Sequence, residues 1–439
     1  MDALTAAARV PVLGHIVPVR REEVAALAWS FAYFFCLLAA YYVIRPVRDE
    51  MAVQAGAERL QWLFTATFLA MVALIPVFGG LAARLPVKRL LPAVYGFFAL
   101  NLVGFYAVLE SGTPLATLAP VFFVWVSVFN LFVVSVFWSF MADLYSTEAA
   151  RRLFGVISAG GSLGAITGPG LTAWLAPAIG IPNLLLVSAT LLAASIGCIA
   201  ALLRLAPGGG ARFLRTAEEE TGARPGLWEG VVRIARSPYL AGICVFLVCY
   251  TLLSTLLYFF QTRLVPELVP TPERRTQLFA AMDLAVNALT LLLQLAVTGR
   301  LLSRLGVAVM LAALPVVAIV GFLVLGLATV LPVLIVFGVL RRAGEFAISK
   351  PARETLYTVV PRAEKYQAKN VIDTVVYRGG DAASAWGVAG LQSLGFTLSG
   401  MAFAGVPIAC LWLATALFLG RRHEQLRRAR SVAHNVAVR

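Results

Sequence analysis

Charged side chains are scarce in this chain, and those able to do chemistry stand within apolar surroundings. In Tyr41-Tyr-Val-Ile-Arg45-Pro-Val-Arg48-Asp49, two guanidiniums and a carboxylate fall at i, i+3 and i+4, on one face of a helix. Two guanidiniums so placed can grip a phosphate or carboxylate bidentately. The same pattern also suits a helix end whose arginines snorkel to the surface. Further along, Glu345 lies one turn from Arg341 and Arg342. Either the three neutralise one another, or one arginine is left for an anion. Lys350-Pro-Ala-Arg353-Glu354 follows, with a lysine before a proline, where a helix break would free backbone groups. Lys350 also reads as an inner-surface positive residue. Asp373, Tyr377 and Asp381 share a face and bracket Arg378-Gly379-Gly380. These carboxylates can carry a proton or simply neutralise Arg378. Asp283 is a further isolated carboxylate in an apolar run.

The chemistry on offer is therefore anion binding and charge gating, with no catalysis. There is no Gly-Lys dipeptide, so no phosphate-binding loop of the Gly-x4-Gly-Lys type, and no serine or zinc hydrolase constellation. The histidines (His15, His423, His434) lie near the ends, and the cysteines sit singly in apolar runs, so we expect neither a metal site nor a cofactor nor disulfides. We expect no enzyme.

What must position these residues is a membrane bundle. The 439 residues are 60% hydrophobic and 13% charged, against roughly 45–50% and 25% for soluble domains. Spanning a bilayer takes about 20 apolar residues. Twelve such runs lie near 24–46, 60–82, 90–110, 115–141, 153–178, 181–203, 239–262, 276–299, 306–328, 330–350, 370–395 and 397–420. The residues before 24 lack a cleaved-signal pattern and read as a tail. With that tail inside, the inner segments hold 27 of the 36 basic residues and the outer ones 6. This asymmetry predicts cytoplasmic termini and accounts for a net charge of +14 without nucleic acid. The expected divisions are an N-terminal half at 1–203, a central loop at 204–238, a C-terminal half at 239–420 and a basic tail at 421–439, the last expected to meet anionic lipid.

The halves look duplicated. Gly79-Gly-Leu-Ala-Ala-Arg84 and Gly299-Arg-Leu-Leu-Ser-Arg304 are 220 residues apart, and Ala150-Arg151 ahead of Gly160-Gly161 matches Ala368-Lys369 ahead of Gly379-Gly380 at nearly that offset. A parallel six-helix repeat is the arrangement of major facilitator transporters. The loop segments resemble that superfamily's Gly-x-Leu-Ala-Asp-Arg motif in part, with Ala83 or Ser303 in place of the aspartate. Gly160, Gly164 and Gly168-Pro169 form a stripe suited to close helix packing, and also resemble an antiporter motif of the superfamily. The expected fold is thus all-α, with twelve membrane helices in two pseudo-symmetric bundles.

Three segments resemble more narrowly the ATP/ADP translocase-like branch, the nucleotide transporters of plastids and intracellular bacteria. They are Ile44-Arg45-Pro-Val-Arg48-Asp49; Phe137-Trp138 to Asp143 with Glu148-Ala-Ala-Arg151-Arg152-Leu-Phe154; and Arg353-Glu354-Thr-Leu-Tyr357 with Lys365, Lys369 and Ile372-Asp373. The resemblance implies exchange of phosphorylated nucleotides. Arg45, Arg48, Arg341, Arg342, Lys350, Arg353 and Arg378 are the expected substrate contacts. Asp49, Asp283, Glu345, Glu354, Asp373 and Asp381 are the expected coupling or gating groups. The expected protein is a monomeric secondary transporter of an organic anion in a bacterial inner membrane. A proton-coupled exporter of amphipathic compounds is the alternative.

Overall fold

The computed structural model describes residues 19–205, 227–361, 368–369 and 371–437; at 21, 75–76, 78–79, 81–84, 87, 227–231, 297–304, 373–374 and 431–437 it describes the backbone alone. Every element among them is helical. In chain order these are α1 (Val24–Ala55), α2 (Leu60–Arg84), α3 (Val87–Glu110), α4 (Leu115–Leu144), α5 (Thr147–Leu205), α6 (Leu227–Arg236), α7 (Pro238–Leu268), α8 (Pro272–Leu293), α9 (Gly299–Leu327), α10 (Leu331–Gly344), α11 (Lys350–Leu356), α12 (Tyr377–Ser393) and α13 (Leu398–Ala437).

Eight helical stretches among the described residues are long and apolar enough to cross a membrane. One of them, α5, has 59 residues. At 1.5 Å per residue it would be about 88 Å long, against roughly 30 Å of hydrocarbon, so it must be two spans. The division falls at Gly180, whose φ of 78° lies in the left-handed region where a side chain would be strained. Pro182, with no N–H to donate, keeps the helix from re-forming straight through. Gly306, at φ 75°, divides α9 in the same way. With α5 counted as two spans, the turns of α9 before Gly306 continued from α8, α10 and α11 joined into one span, and the 10-residue α6 left out, the helices correspond to the twelve expected ones. Large apolar residues on them stay uncovered, as at Trp174 (74% exposed) and Leu327 (80%).

Three departures from the sequence reading concern helix ends. The first apolar run was expected to close near 46, but α1 continues to Ala55. Arg45 and Arg48 are therefore in the body of a helix, so the end-cap alternative falls away. Hydropathy drops there because charges appear, yet a charge with a buried partner does not stop a helix. The expected central loop at 204–238 contains α6, and its stretch 206–226 lies outside the described residues. Beyond 420, where a tail was expected, α13 carries on unbroken to Ala437.

The chain forms two compact units. One comprises Met1–Gln54, Leu69–Gly222 and Thr271–Leu284; the other comprises Ala55–Phe68, Ala223–Pro270 and Ala285–Arg439. In the first, the glycine stripe of α5 lies on α1. A Cβ at Gly160 would come within 2.5 Å of the Phe31 carbonyl oxygen, and one at Gly168 within 2.7 Å of that of Ala39. A Cβ at Gly161 would overlap the Phe34 ring. In the second unit, a Cβ at Gly380 on α12 would come within 2.8 Å of Thr251 Oγ1 on α7. Each unit thus uses a glycine of the repeated pair to bring its fifth helix against its first. The repeated loop segments 79–84 and 299–304 fall largely on residues whose side chains are outside the description.

Candidate functional site

Within the first unit, α1 gathers three arginines and three carboxylates. Arg45 is ion-paired to Asp283 of α8. One turn on, Glu50 is fully buried and takes a bidentate pair from Arg275, Nε to Oε2 at 2.8 Å and Nη2 to Oε1 at 2.7 Å, while Gln54 Nε2 donates to Oε1 at 2.8 Å. Arg48 donates from Nε to Ser127 Oγ at 3.2 Å, lies 3.5 Å from Asp49, and stacks 4.0 Å from the centre of the Phe123 ring. Pro46 removes one backbone hydrogen bond from α1 between these arginines. The arrangement is balanced: every guanidinium has a carboxylate beside it. Such pairs survive burial only when both charges and their hydrogen bonds are matched.

Glu50 and Arg275 are not among the residues singled out from the sequence. Their link spans 225 residues, so no local spacing reveals it.

Within the second unit the balance differs. Of the two readings left open for this cluster, the pairing of Arg341 with Glu345 does not form. Glu345, 3% exposed, accepts instead from Arg353 Nη1 at 3.0 Å. The backbone explains this choice. Residues Glu345–Ser349 form a π turn in which the Lys350 N–H bonds the Glu345 carbonyl. Pro351 follows and cannot donate. The wide turn absorbs one extra residue. Positions eight apart then fall on one face, as positions seven apart do in an ordinary helix.

Arg341 is left with neutral partners. It is 7% exposed, donates from Nη1 to Ser254 Oγ at 2.6 Å, and lies 5.8 Å from the centre of the Tyr250 ring. Its Nε is buried without a hydrogen-bond partner, and no carboxylate among the described residues pairs with it. Tyr250 is flanked by Tyr377 at 6.1 Å and Trp412 at 5.9 Å, so the guanidinium borders an aromatic wall from α7, α12 and α13. Ser254 and Trp412 carry little sequence signal, being ordinary residues in apolar runs.

The remaining expected residues are dispersed. Lys350 is exposed, and Arg342 is half-buried. Lys369 pairs with Glu354 and lies 5.5 Å from the Tyr357 ring. Arg378 lies 3.9 Å from Asp381. Asp373 lies in a second π turn, Ile372–Val376, and its side chain is outside the description. Among the described residues no group of His, Cys, Asp and Glu could hold a metal.

At the start of α1, Glu23 accepts from Arg152 Nη2 at 2.8 Å and from the Arg20 N–H at 3.0 Å. Burial acts to raise this carboxyl, but the hydrogen bonds outweigh it and hold it below the usual carboxylate range.

The family model of the Major Facilitator Superfamily matches residues 28–380, and the chain belongs to that superfamily. It is a multi-pass membrane protein and a secondary transporter. Among solved structures, it is similar to a POT family transporter in complex with a thioalcohol-conjugated peptide (TM-score 0.61, 12% identity, covering 91% of this chain and 96% of that one). It is also similar to a bacterial homologue of the iron transporter ferroportin in the inward-facing state (0.60, 13%, 91% and 98%) and to the nucleoside transporter NupG (0.55, 14%, 92% and 99%). At such identity the likeness shows the fold. No curated protein matches the sequence.

Proposed function

We propose that this transporter carries an organic anion, nucleotide-like or phosphorylated, by alternating access, and that it is a relative of the ATP/ADP translocase-like branch. The observation that carries the reading is Arg341, a buried guanidinium met by a hydroxyl and a ring face but by no carboxylate among the described residues. An uncompensated buried cation is costly, and an anionic substrate would relieve the cost. The aromatic wall beside it offers a stacking surface for a base. Arg353 and Glu345 set the local charge, with Glu345 as the coupling carboxylate. In the first unit, the pairs Arg45–Asp283 and Glu50–Arg275 act as ionic latches between α1 and α8. The membrane is the bacterial inner membrane with both termini cytoplasmic, and the working form is the monomer.

The glycine stripe on α5, one feature consistent with the exporter alternative, packs on α1.

The test is a thermal-shift panel on purified protein with nucleotides, sugar phosphates, carboxylates and cationic dyes, followed by uptake of the best ligand into liposomes. Nucleotides should raise the melting midpoint of the wild type and not of Arg341→Gln. Stabilisation by dyes alone would overturn the anion reading.

A further inference from the structure

The C-terminal stretch of α13 carries a second feature, independent of the transport reading. Ala414, Leu417, Phe418, Arg421, Arg422 and Gln425 lie along one open face of α13. Their spacing, at i, i+3, i+4, i+7, i+8 and i+11, is that of a single helical stripe. Along the axis the stripe changes character once. Its first part is apolar and uncovered, with Leu417 39% and Phe418 46% exposed, and its last part is cationic and polar. From Ala414 to Gln425 the rise is roughly 16 Å, enough for a headgroup and the upper part of an acyl chain.

The basic residues of this stretch are not equivalent. Arg427 and Arg428 both donate to Glu424, at 2.9–3.0 Å. Arg430 Nη1 donates to the Thr358 carbonyl at 3.1 Å. Arg422 meets the neutral Gln425 at 3.0 Å, and no carboxylate among the described residues pairs with either Arg421 or Arg422. Arg421 and Arg422 thus set two uncompensated charges side by side where the apolar stripe ends, while the single net charge left on Arg427, Arg428 and Glu424 and that of Arg430 lie beyond it. The helix is fixed there rather than trailing. His423 is buried, with Nδ1 3.4 Å from the Tyr239 hydroxyl, which itself donates to the Leu356 carbonyl at 2.9 Å.

We propose that this stripe is a specific site for an anionic phospholipid, with the phosphate held by Arg421 and Arg422 and an acyl chain lying on Leu417 and Phe418. An inorganic or small organic phosphate would leave the apolar half unused. A zwitterionic lipid would set its own cation against the arginine pair. Diffuse attraction to a negative surface would draw equally on all five arginines, whereas here two of them share the carboxylate of Glu424.

The experiment is native mass spectrometry of the full chain released from detergent. Dioleoyl phosphatidylglycerol, dioleoyl phosphatidylcholine and glycerol 3-phosphate serve as probes, with the wild type beside Arg421→Gln/Arg422→Gln and Arg427→Gln/Arg428→Gln. The wild type should retain phosphatidylglycerol in preference to both other probes. The first double variant should weaken it about 30-fold, the effect expected of two basic residues at a membrane surface. The second should leave it within about threefold. Equal retention of phosphatidylcholine, equal binding of glycerol 3-phosphate, or equal loss in the two double variants would each overturn the site. The probe comparison needs only the wild type, so it stands even where a variant fails to fold.

Discussion

The arginines around α1 and those on α10 and α11 differ in how their charge is met. In the first unit, Arg45, Arg48 and Arg275 stand against Asp283, Asp49 and Glu50. In the second, Glu345 is taken by Arg353, and Arg341 has Ser254 and the Tyr250 ring. A closed set of matched charges holds helices together but offers nothing to a ligand. A guanidinium held only by neutral groups is oriented yet uncompensated. The first arrangement suits a latch and the second a binding site, although either stretch read as sequence is arginines with nearby acids.

The comparison is broken most readily at Glu50. Arg275→Ala should cost about 3–5 kcal/mol of stability, because a fully buried carboxylate loses its bidentate partner. Most of that loss should return in Arg275→Ala/Glu50→Gln, as read by thermal unfolding in detergent. An unchanged midpoint in the single variant would show that the pair is not holding α1.

Arg341→Gln should behave in the opposite way. Its midpoint should stay level or rise, since an uncompensated buried cation is removed. Affinity for the anion should fall about 10–100-fold, the worth of a charge-assisted hydrogen bond. A drop in stability comparable to that of Arg275→Ala would mean the two regions are not different in kind. Ser254→Ala removes the hydroxyl that orients Arg341: it should weaken binding about threefold to tenfold in isothermal titration and cost about 1–3 kcal/mol of stability, because Nη1 loses its hydrogen-bond partner while buried.

The smallest effect is expected at Glu23. Its carboxyl is held low in the folded state, so its contribution is fully present above the unfolded value of roughly 4.3 and is lost as pH falls through the folded value. Glu23→Gln should therefore lower the midpoint at pH 7, and the gap to wild type should close on acidification toward pH 3. A gap that stays constant with pH would refute the linkage.

How much was legible in advance differs between residues for a physical reason. The duplicated Gly-Gly pairs and the α5 stripe were readable because packing of small residues follows a local period, and the structure puts α1 carbonyls against Gly160 and Gly168. The partner of Glu345 was not readable. Helical spacing pointed to Arg341, and the π turn at Glu345–Ser349 shifted the register to Arg353. Nor could spacing place Glu50 against Arg275, since charge pairs between distant helices leave no periodic trace.

The sequence by itself determined the solvent, the helical class and the family. Those follow from the length and hydropathy of each run and from repeated motifs, all of which are properties of neighbouring residues. Only the tertiary structure decided which arginines are neutralised and which is left with neutral partners. Electrostatic energy depends on distances of a few ångströms between helices, and those distances are set by packing rather than by position along the chain.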